Sequence, residues 1–324
     1  MAAHQPVLLN EALAALAIRP DGMYLDATFG RGGHAQALLA QLGPHGRVIA
    51  LDRDPQAVQV AQQITDPRFS ITHVPFSALH TAFDAQGVQT INGALFDLGV
   101  SSPQLDEAQR GFSFRTDGPL DMRMDTTRGE SVADWLQHAA ETDIRKVIAE
   151  YGEERFAQQI AAAIVAARAT EPIRRTRQLA HLVGQTVRTR EVGQDPATRT
   201  FQALRIFINR ELEEVALSLP LAMQRLALGA RLAVISFHSL EDRIVKRCMQ
   251  AASVHDLPRG LPIRDVDLPR APMRLIGRAQ RASSQELKHN PRARSATLRV
   301  AERTDGTLDL AALQNRLGTH PWRS

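Results

Sequence analysis

The sequence predicts an α/β fold: a largely parallel sheet with crossover helices, interrupted by a helical insertion. Three observations predict it. Strand and helix patterns alternate at short spacing over about the first 100 residues, strand patterns vanish after Gln104 while helical ones continue, and a buried-type strand returns at ARLAVISF.

Taken in order, MYLDATFG reads as a first strand running into a loop, HAQALLAQL as a helix stopped by Gly43 and Pro44, and RVIALD as the second strand. Asp54 followed by Pro55 combines an N-cap with a first-turn proline and opens a helix through PQAVQVAQQI. FSITHVPF and INGALFDLG supply the third and fourth strands. Helices follow at SVADWLQHAA, TDIRKVIAEYG, ERFAQQIAAAIVAAR and TRQLAHLVGQTVRTR. One long helix is expected from about Thr200, because Phe201, Leu204, Ile208, Leu212, Val215 and Leu219 form one apolar stripe. After ARLAVISF, Ser239 with Asp242 is expected to form a capping box opening LEDRIVKRCMQ, and SATLRVAER closes as a strand. Residues 253–294, rich in Pro, Arg and Gly, are expected to be a surface loop ordered by substrate. The expected domains are thus 1–105 with 210–324 for the sheet, and 106–209 for the helical insertion.

A chain of 324 residues with 44% hydrophobic content can bury a substantial core. No stretch approaches the roughly 18 uninterrupted apolar residues of a membrane span, and the N-terminus lacks a secretory pattern, so neither export nor membrane insertion is expected. Cys248 is the sole cysteine, which excludes an intrachain disulfide and a cysteine-held zinc; a cytoplasmic setting fits, and no metal is expected. The isoelectric point is about 9.8, and arginine outnumbers lysine 36 to 3. A guanidinium can grip phosphate bidentately and stack on bases. Residues 168–210 hold nine Arg against three acids, and residues 255–303 hold eleven Lys or Arg against five, the footprint expected of a polyanion partner.

The most informative segment is Asp26-Ala27-Thr28-Phe29-Gly30-Arg31-Gly32-Gly33-His34, set between a strand and a helix, with Asp52 ending the next strand. Glycines allow a tight turn and close approach to a ligand, and Asp52 can accept both ribose hydroxyls of an adenosine. Gly30, Gly32 and Ala35 also satisfy the spacing of a nicotinamide dinucleotide loop, so that reading stays open. Against it, the glycines begin four residues after Asp26, and that acid stands where a pyrophosphate would be repelled. S-adenosylmethionine carries a sulfonium and an ammonium without phosphate, and suits an acidic strand end better.

Asp97 closes the fourth strand ahead of Leu98-Gly99-Val100-Ser101-Ser102-Pro103-Gln104, so Asp26, Asp52 and Asp97 should share the rim at the carboxyl ends of the sheet. Methyl transfer requires mainly alignment of the nucleophile and exclusion of water. An exocyclic amine would further need acceptors to hold its hydrogens and receive a proton; Asp97, a serine oxygen and backbone carbonyls are the candidates, and Asp97 is the candidate catalytic residue.

With these residues in hand, the sequence resembles the ribosomal RNA small subunit methyltransferase H family, which methylates N4 of a cytidine in the decoding region of 16S rRNA. The resemblance spans nearly the whole chain and rests on HQPVLLNEAL, DATFGRGGH, LDRDP, GPLDMRMD, GEERFAQQIA, PATRTFQALRI, ISFHSLEDRIVK and NPRARSATLR in order. It implies a class I methyltransferase (Rossmann-like) sheet, S-adenosylmethionine as cofactor, and 16S rRNA in the small ribosomal subunit as partner. It also implies cofactor contacts at Gly32, Gly33, His34, Asp52, Phe76, Asp97 and Gln104; Phe76 and Gln104 are candidates on this ground alone. Many amino-methyltransferases carry Pro-Pro and an aromatic after the fourth strand, whereas this chain has DLGVSSPQ. That departure leaves the base-stacking aromatic unassigned, with Phe112 and Phe114 as candidates. His238, Ser239 and Arg243 are candidates for substrate contact. An NAD-dependent oxidoreductase and a noncatalytic RNA-binding assembly factor are the alternative readings.

Overall fold

The computed structural model describes residues 6–187, 195–254 and 270–318. Two compact units emerge: Met1–Gly99 with Leu212–Ser324, and Val100–Glu211.

In chain order the first unit begins with α1 (Leu9–Leu16), β1 (Met23–Asp26), α2 (Gly33–Leu39), β2 (Arg47–Asp52), α3 (Pro55–Ala61), β3 (Phe69–His73), α4 (Leu79–Ala85) and β4 (Ile91–Asp97). The second holds α5 (Ser102–Asp106), α6 (Val132–His138), α7 (Glu141–Gly152), α8 (Ala157–Thr170), α9 (Thr176–Thr186) and α10 (Thr198–Asn209). Helix α11 (Glu211–Arg225) returns the chain to the first unit, followed by β5 (Leu226–Ser236), α12 (Ser239–Ala252), β6 (Met273–Leu275), β7 (Gln280–Arg281), α13 (Ser284–His289), β8 (Thr297–Arg303) and α14 (Leu310–Leu317).

The eight strands form one sheet in the order β3-β2-β1-β4-β5-β8-β6, with β7 also pairing β8. Strands β1 to β5 run parallel, while β8 is antiparallel to β5, β6 and β7. The order reverses between β1 and β4, the switch point at which ligands of open α/β sheets bind. The central strands are apolar on both faces: Leu25, Ala50, Leu95 and Ala233 are buried, as a sheet covered by helices on both sides requires. Fully buried Tyr24 keeps its hydroxyl satisfied by accepting the Arg19 backbone N–H at 2.6 Å.

The second unit packs around its own core of Trp135, Leu136, Ile144, Ile148, Ile160, Ile164, Leu179 and Leu204. The long helix expected from Thr200 is two helices, α10 and α11, broken at Arg210, whose φ of 51° is left-handed. Asn209 fixes the break: its Oδ1 accepts Met124 N–H at 2.7 Å, and its Nδ2 donates to Met122 O at 2.7 Å and Arg205 O at 2.9 Å. An apolar stripe continues across such a break without revealing it.

Two further expectations are corrected. The N-cap of α12 is His238 with Glu241 as its reciprocal partner, one residue before the expected Ser239 and Asp242. Asp242 instead binds Arg299 of β8 bidentately, at 2.7 and 2.8 Å. Within the expected loop 253–294, the described part from 270 onward carries β6, β7 and α13; two short edge strands leave too little sequence for periodicity to show. Residues 255–269 of that loop, residues 188–194 of the other basic stretch, and His4 and Gln5 of the first motif lie outside the described residues. Among the described residues no helix is long and apolar enough to cross a membrane.

Candidate active site

Register brings the strand-end acids together. Asp26 sits opposite Ala50 of β2 and Leu95 of β4, so Asp52 and Asp97 lie two residues further along the neighbouring strands and on the same face. The loop after β1 is threaded between them: Ala27 N–H donates to Leu95 O at 2.9 Å, and Phe29 N–H to Leu51 O at 3.1 Å. Thr28 was not singled out by the sequence, yet its hydroxyl oxygen accepts the Asp97 backbone N–H at 2.7 Å.

The glycines answer first to the protein itself. Gly30 and Gly32 have φ of 55° and 76°. A Cβ on Gly32 would meet the Phe29 ring at 2.6 Å, and one on Gly33 would meet Pro6 Cγ at 2.3 Å. Just beyond Pro6, Leu8 N–H donates to Glu286 Oε1 of α13 at 2.8 Å, so the segment lying on Gly33 is held from far along the chain.

Each carboxylate has a distinct setting. Asp52 accepts Gly30 N–H through Oδ2 and Asp54 N–H through Oδ1, both at 2.8 Å, which leaves lone pairs on both oxygens for ribose hydroxyls. Loss of solvent raises its pKa to about 6, assisted by the nearby charges of Asp54 and Asp26 and opposed by those two hydrogen bonds. Asp26 is fully buried; Oδ1 accepts Thr28 N–H at 3.1 Å, while Oδ2 has no hydrogen-bond partner among the described residues. Desolvation raises it to about 6 as well, with the charge of Asp97 adding to the rise and His34 opposing it. Asp97 Oδ1 is likewise buried and, among the described residues, without a hydrogen-bond partner.

His34 is 4% exposed, and its Nε2 lies 3.4 Å from Asp97 Oδ2 without hydrogen-bond geometry. Burial alone would lower its pKa, but the carboxylates of Asp97 and Asp26 outweigh that and raise it.

Phe76 follows β3 in a short 3-10 turn, with its ring edge-to-face on Phe96 at 5.8 Å between centroids. Phe76 lies three residues beyond His73, which is level with Asp52, so it leaves the sheet at the same carboxyl end. The structure therefore assembles Gly32, Gly33, His34, Asp52, Phe76 and Asp97 in the first unit. Gln104 belongs to the other unit, where its Oε1 accepts Ser101 N–H at 2.9 Å. Phe112 and Phe114 are taken up in packing there: Phe112 is buried under the Arg110 guanidinium, and Phe114 meets Phe201 edge-to-face at 4.8 Å. His238 caps α12, with Nε2 3.1 Å from buried Glu241 Oε1.

Bare buried carboxylates fit a cation and oppose a pyrophosphate. S-adenosylmethionine meets that test: a sulfonium and an ammonium for Asp26 and Asp97, and ribose hydroxyls for Asp52.

A family profile described as the MraW methylase family matches residues 1–304. The chain belongs to the MraW methylase family. The oxidoreductase alternative falls with that result. Among curated relatives, the ribosomal RNA small subunit methyltransferase H of Neisseria meningitidis (serogroup A) is 59% identical over 308 residues, covering 94% of each chain. The protein of the same name from Aromatoleum aromaticum is 59% identical over 304 residues, covering 94% of this chain and 97% of its own. Among solved structures, an rRNA methylase from Streptococcus thermophilus aligns over 94% of this chain and 99% of its own, with 13% identity and a TM-score of 0.40. Within this methylase family the strand order above is a class I methyltransferase sheet carrying a helical insertion.

Proposed function

We propose that the protein methylates the N4 amine of a cytidine in the decoding region of 16S rRNA, within the small ribosomal subunit, using S-adenosylmethionine. The observation that carries the reading is the pair of buried, unpartnered carboxylate oxygens, Asp26 Oδ2 and Asp97 Oδ1, on the rim that also holds Asp52. The name shared by the curated relatives supports the substrate.

When bound, S-adenosylmethionine supplies a methyl group already activated by its sulfonium. The chain's own residues bind and orient. Gly32 and Gly33 shape the loop, Asp52 takes the ribose, Phe76 lies against the adenine, and His34 and Gln104 complete the cofactor contacts. Asp97 is the catalytic residue: its bare Oδ1 accepts an N–H of the amine, directs the nitrogen lone pair at the methyl group and receives the proton.

RNA is held by the helical insertion, about residues 106–209, and by the basic segment around β7 and α13. Arg281 pairs with Thr297, Thr297 with Ser236, and Ser236 follows Ile235, which is level with Asp97. Exposed Arg278, Arg281, Lys288 and Arg294 are thus carried by the strands and turns at the catalytic rim. The target base must leave its stack to reach Asp97.

The test is incubation of the protein and tritiated S-adenosylmethionine with small subunits from a strain lacking the enzyme, followed by nucleoside digestion. Label in N4-methylated cytidine is expected; absence of label in the subunits would overturn the reading.

A further inference from the structure

His34 is buried with its Nε2 3.4 Å from Asp97 Oδ2, and its Nδ1, like Asp26 Oδ2 and Asp97 Oδ1, has no hydrogen-bond partner among the described residues. Buried polar atoms are ordinarily satisfied, and three bare ones around one ion pair indicate something the group is built to receive. A cationic ligand answers for the carboxylates. It does not answer for the imidazole, which a cation would repel when protonated.

We infer that His34 is a proton-holding residue: through Asp97 it takes the proton released by the methylated amine and keeps it while S-adenosylhomocysteine occupies the site. The inference rests on the methyl-transfer reading above. Because His34 acts through Asp97, it is a positioning residue for the reaction.

The step balances. The amine lone pair forms the nitrogen–carbon bond, the carbon–sulfur bond breaks with its electron pair left on sulfur, and the nitrogen proton passes to Asp97 and on to His34. One positive charge disappears at sulfur and one appears on the imidazole, so the total charge of the buried rim is unchanged. Were the proton lost to solvent instead, the buried site would be left with one more uncompensated negative charge, which is costly away from water.

Among the described residues, the charged groups facing His34 are Asp97 at the tip of β4 and Asp26 at the end of β1, and Asp52 on β2 lies next beyond, within reach of the Asp26 charge. Both facing groups are acids, so the ring is proton-attracting until a cation arrives. S-adenosylmethionine has a net charge of about +1 and S-adenosylhomocysteine about zero; the first should expel the His34 proton and the second should retain it. By linkage, their affinity ratio then shifts toward S-adenosylhomocysteine as pH falls, approaching about tenfold per pH unit where His34 titrates.

The test is calorimetry of the full chain with each compound, without RNA, in buffers of different ionisation enthalpy. The wild type should bind about one more proton with S-adenosylhomocysteine than with S-adenosylmethionine, and His34→Gln should abolish that difference. Equal proton counts in the wild type, or a difference that persists in His34→Gln, would overturn the proposal alone. Should His34→Gln fail to fold, ring 15N shifts of the wild type decide: imidazolium with S-adenosylhomocysteine and neutral with S-adenosylmethionine supports it, and one state in both overturns it. Failure to bind either compound would overturn the methyl-transfer reading together with the proposal.

Discussion

The hydroxyl of Thr28 accepts the backbone N–H of Asp97 at 2.7 Å, so the loop leaving β1 fixes the tip of β4. Thr28→Val keeps the shape and removes the acceptor. An N–H left without a partner costs about 1–3 kcal/mol. Denaturant unfolding should show that loss, and kcat should fall further than stability explains, because Asp97 loses its anchor. An unchanged kcat would mean that the tie is only structural.

Asp97→Asn removes the proposed proton acceptor while preserving size. Turnover should drop by about 10²–10⁴-fold, the usual worth of general-base assistance. Affinity for S-adenosylhomocysteine, measured by calorimetry, should change far less. If the two fell together, Asp97 would be a binding group alone.

Asp26 carries a folded-state pKa raised to about 6, above its ordinary 3.8. A carboxyl whose folded value lies above its unfolded one contributes stability at pH below about 4 that is lost as pH rises through about 6. Asp26→Asn should therefore raise the Tm of the ligand-free protein more at pH 7 than at pH 5, while weakening S-adenosylmethionine binding. Thermal melts at the two pH values check the sign.

Two glycines separate crowding from conformational freedom. A Cβ on Gly33 would strike Pro6 at 2.3 Å, whereas one on Gly184, inside α9, meets nothing within 4 Å. Gly33→Ala should destabilise by about 1–3 kcal/mol and weaken cofactor binding. Gly184→Ala should stabilise by up to about 1 kcal/mol, since alanine favours a helix interior. Urea titration of both variants compares them.

Replacing Arg278, Arg281 and Arg294 together by alanine should weaken RNA binding without moving S-adenosylhomocysteine affinity. If each arginine meets one phosphate of single-stranded RNA, the slope of log affinity against log salt falls by about 2. Filter binding at several salt concentrations reads it, and an unaltered slope would place the RNA elsewhere.

Much of this architecture is legible in the residues. The runs YLD, RVIALD and INGALFD are buried on both faces and end in acids, and both the strands and their shared rim follow from that. Asp54 with Pro55 marks the start of α3, where the Asp54 side chain does accept Gln56 N–H at 3.0 Å. What stayed hidden depends on contacts distant in sequence. The break at Arg210 is imposed by Asn209 binding a loop more than 80 residues earlier, at Met124. The α12 cap could start at His238 or Ser239, because both precede an acid by three residues; the bond from Asp242 to Arg299 removes the second option. Likewise Thr28 inside DATFG shows no sign of its reach to β4. Glycine spacing could not reveal that Pro6 and Phe29, rather than a ligand alone, demand the absence of side chains at Gly33 and Gly32.

The bond from Leu8 to Glu286 spans 278 residues. At synthesis rates of about 5–20 residues per second, roughly 14–56 s separate the appearance of its two ends. Throughout that interval the segment lying on Gly33 lacks this bond, and β8, which flanks β5, does not yet exist. The glycine loop proposed to receive the cofactor is among the first parts of the chain to be made, and this tie to it is among the last, so a truncated or stalled product would carry the glycine motif entire and lack one of the ties that steady it.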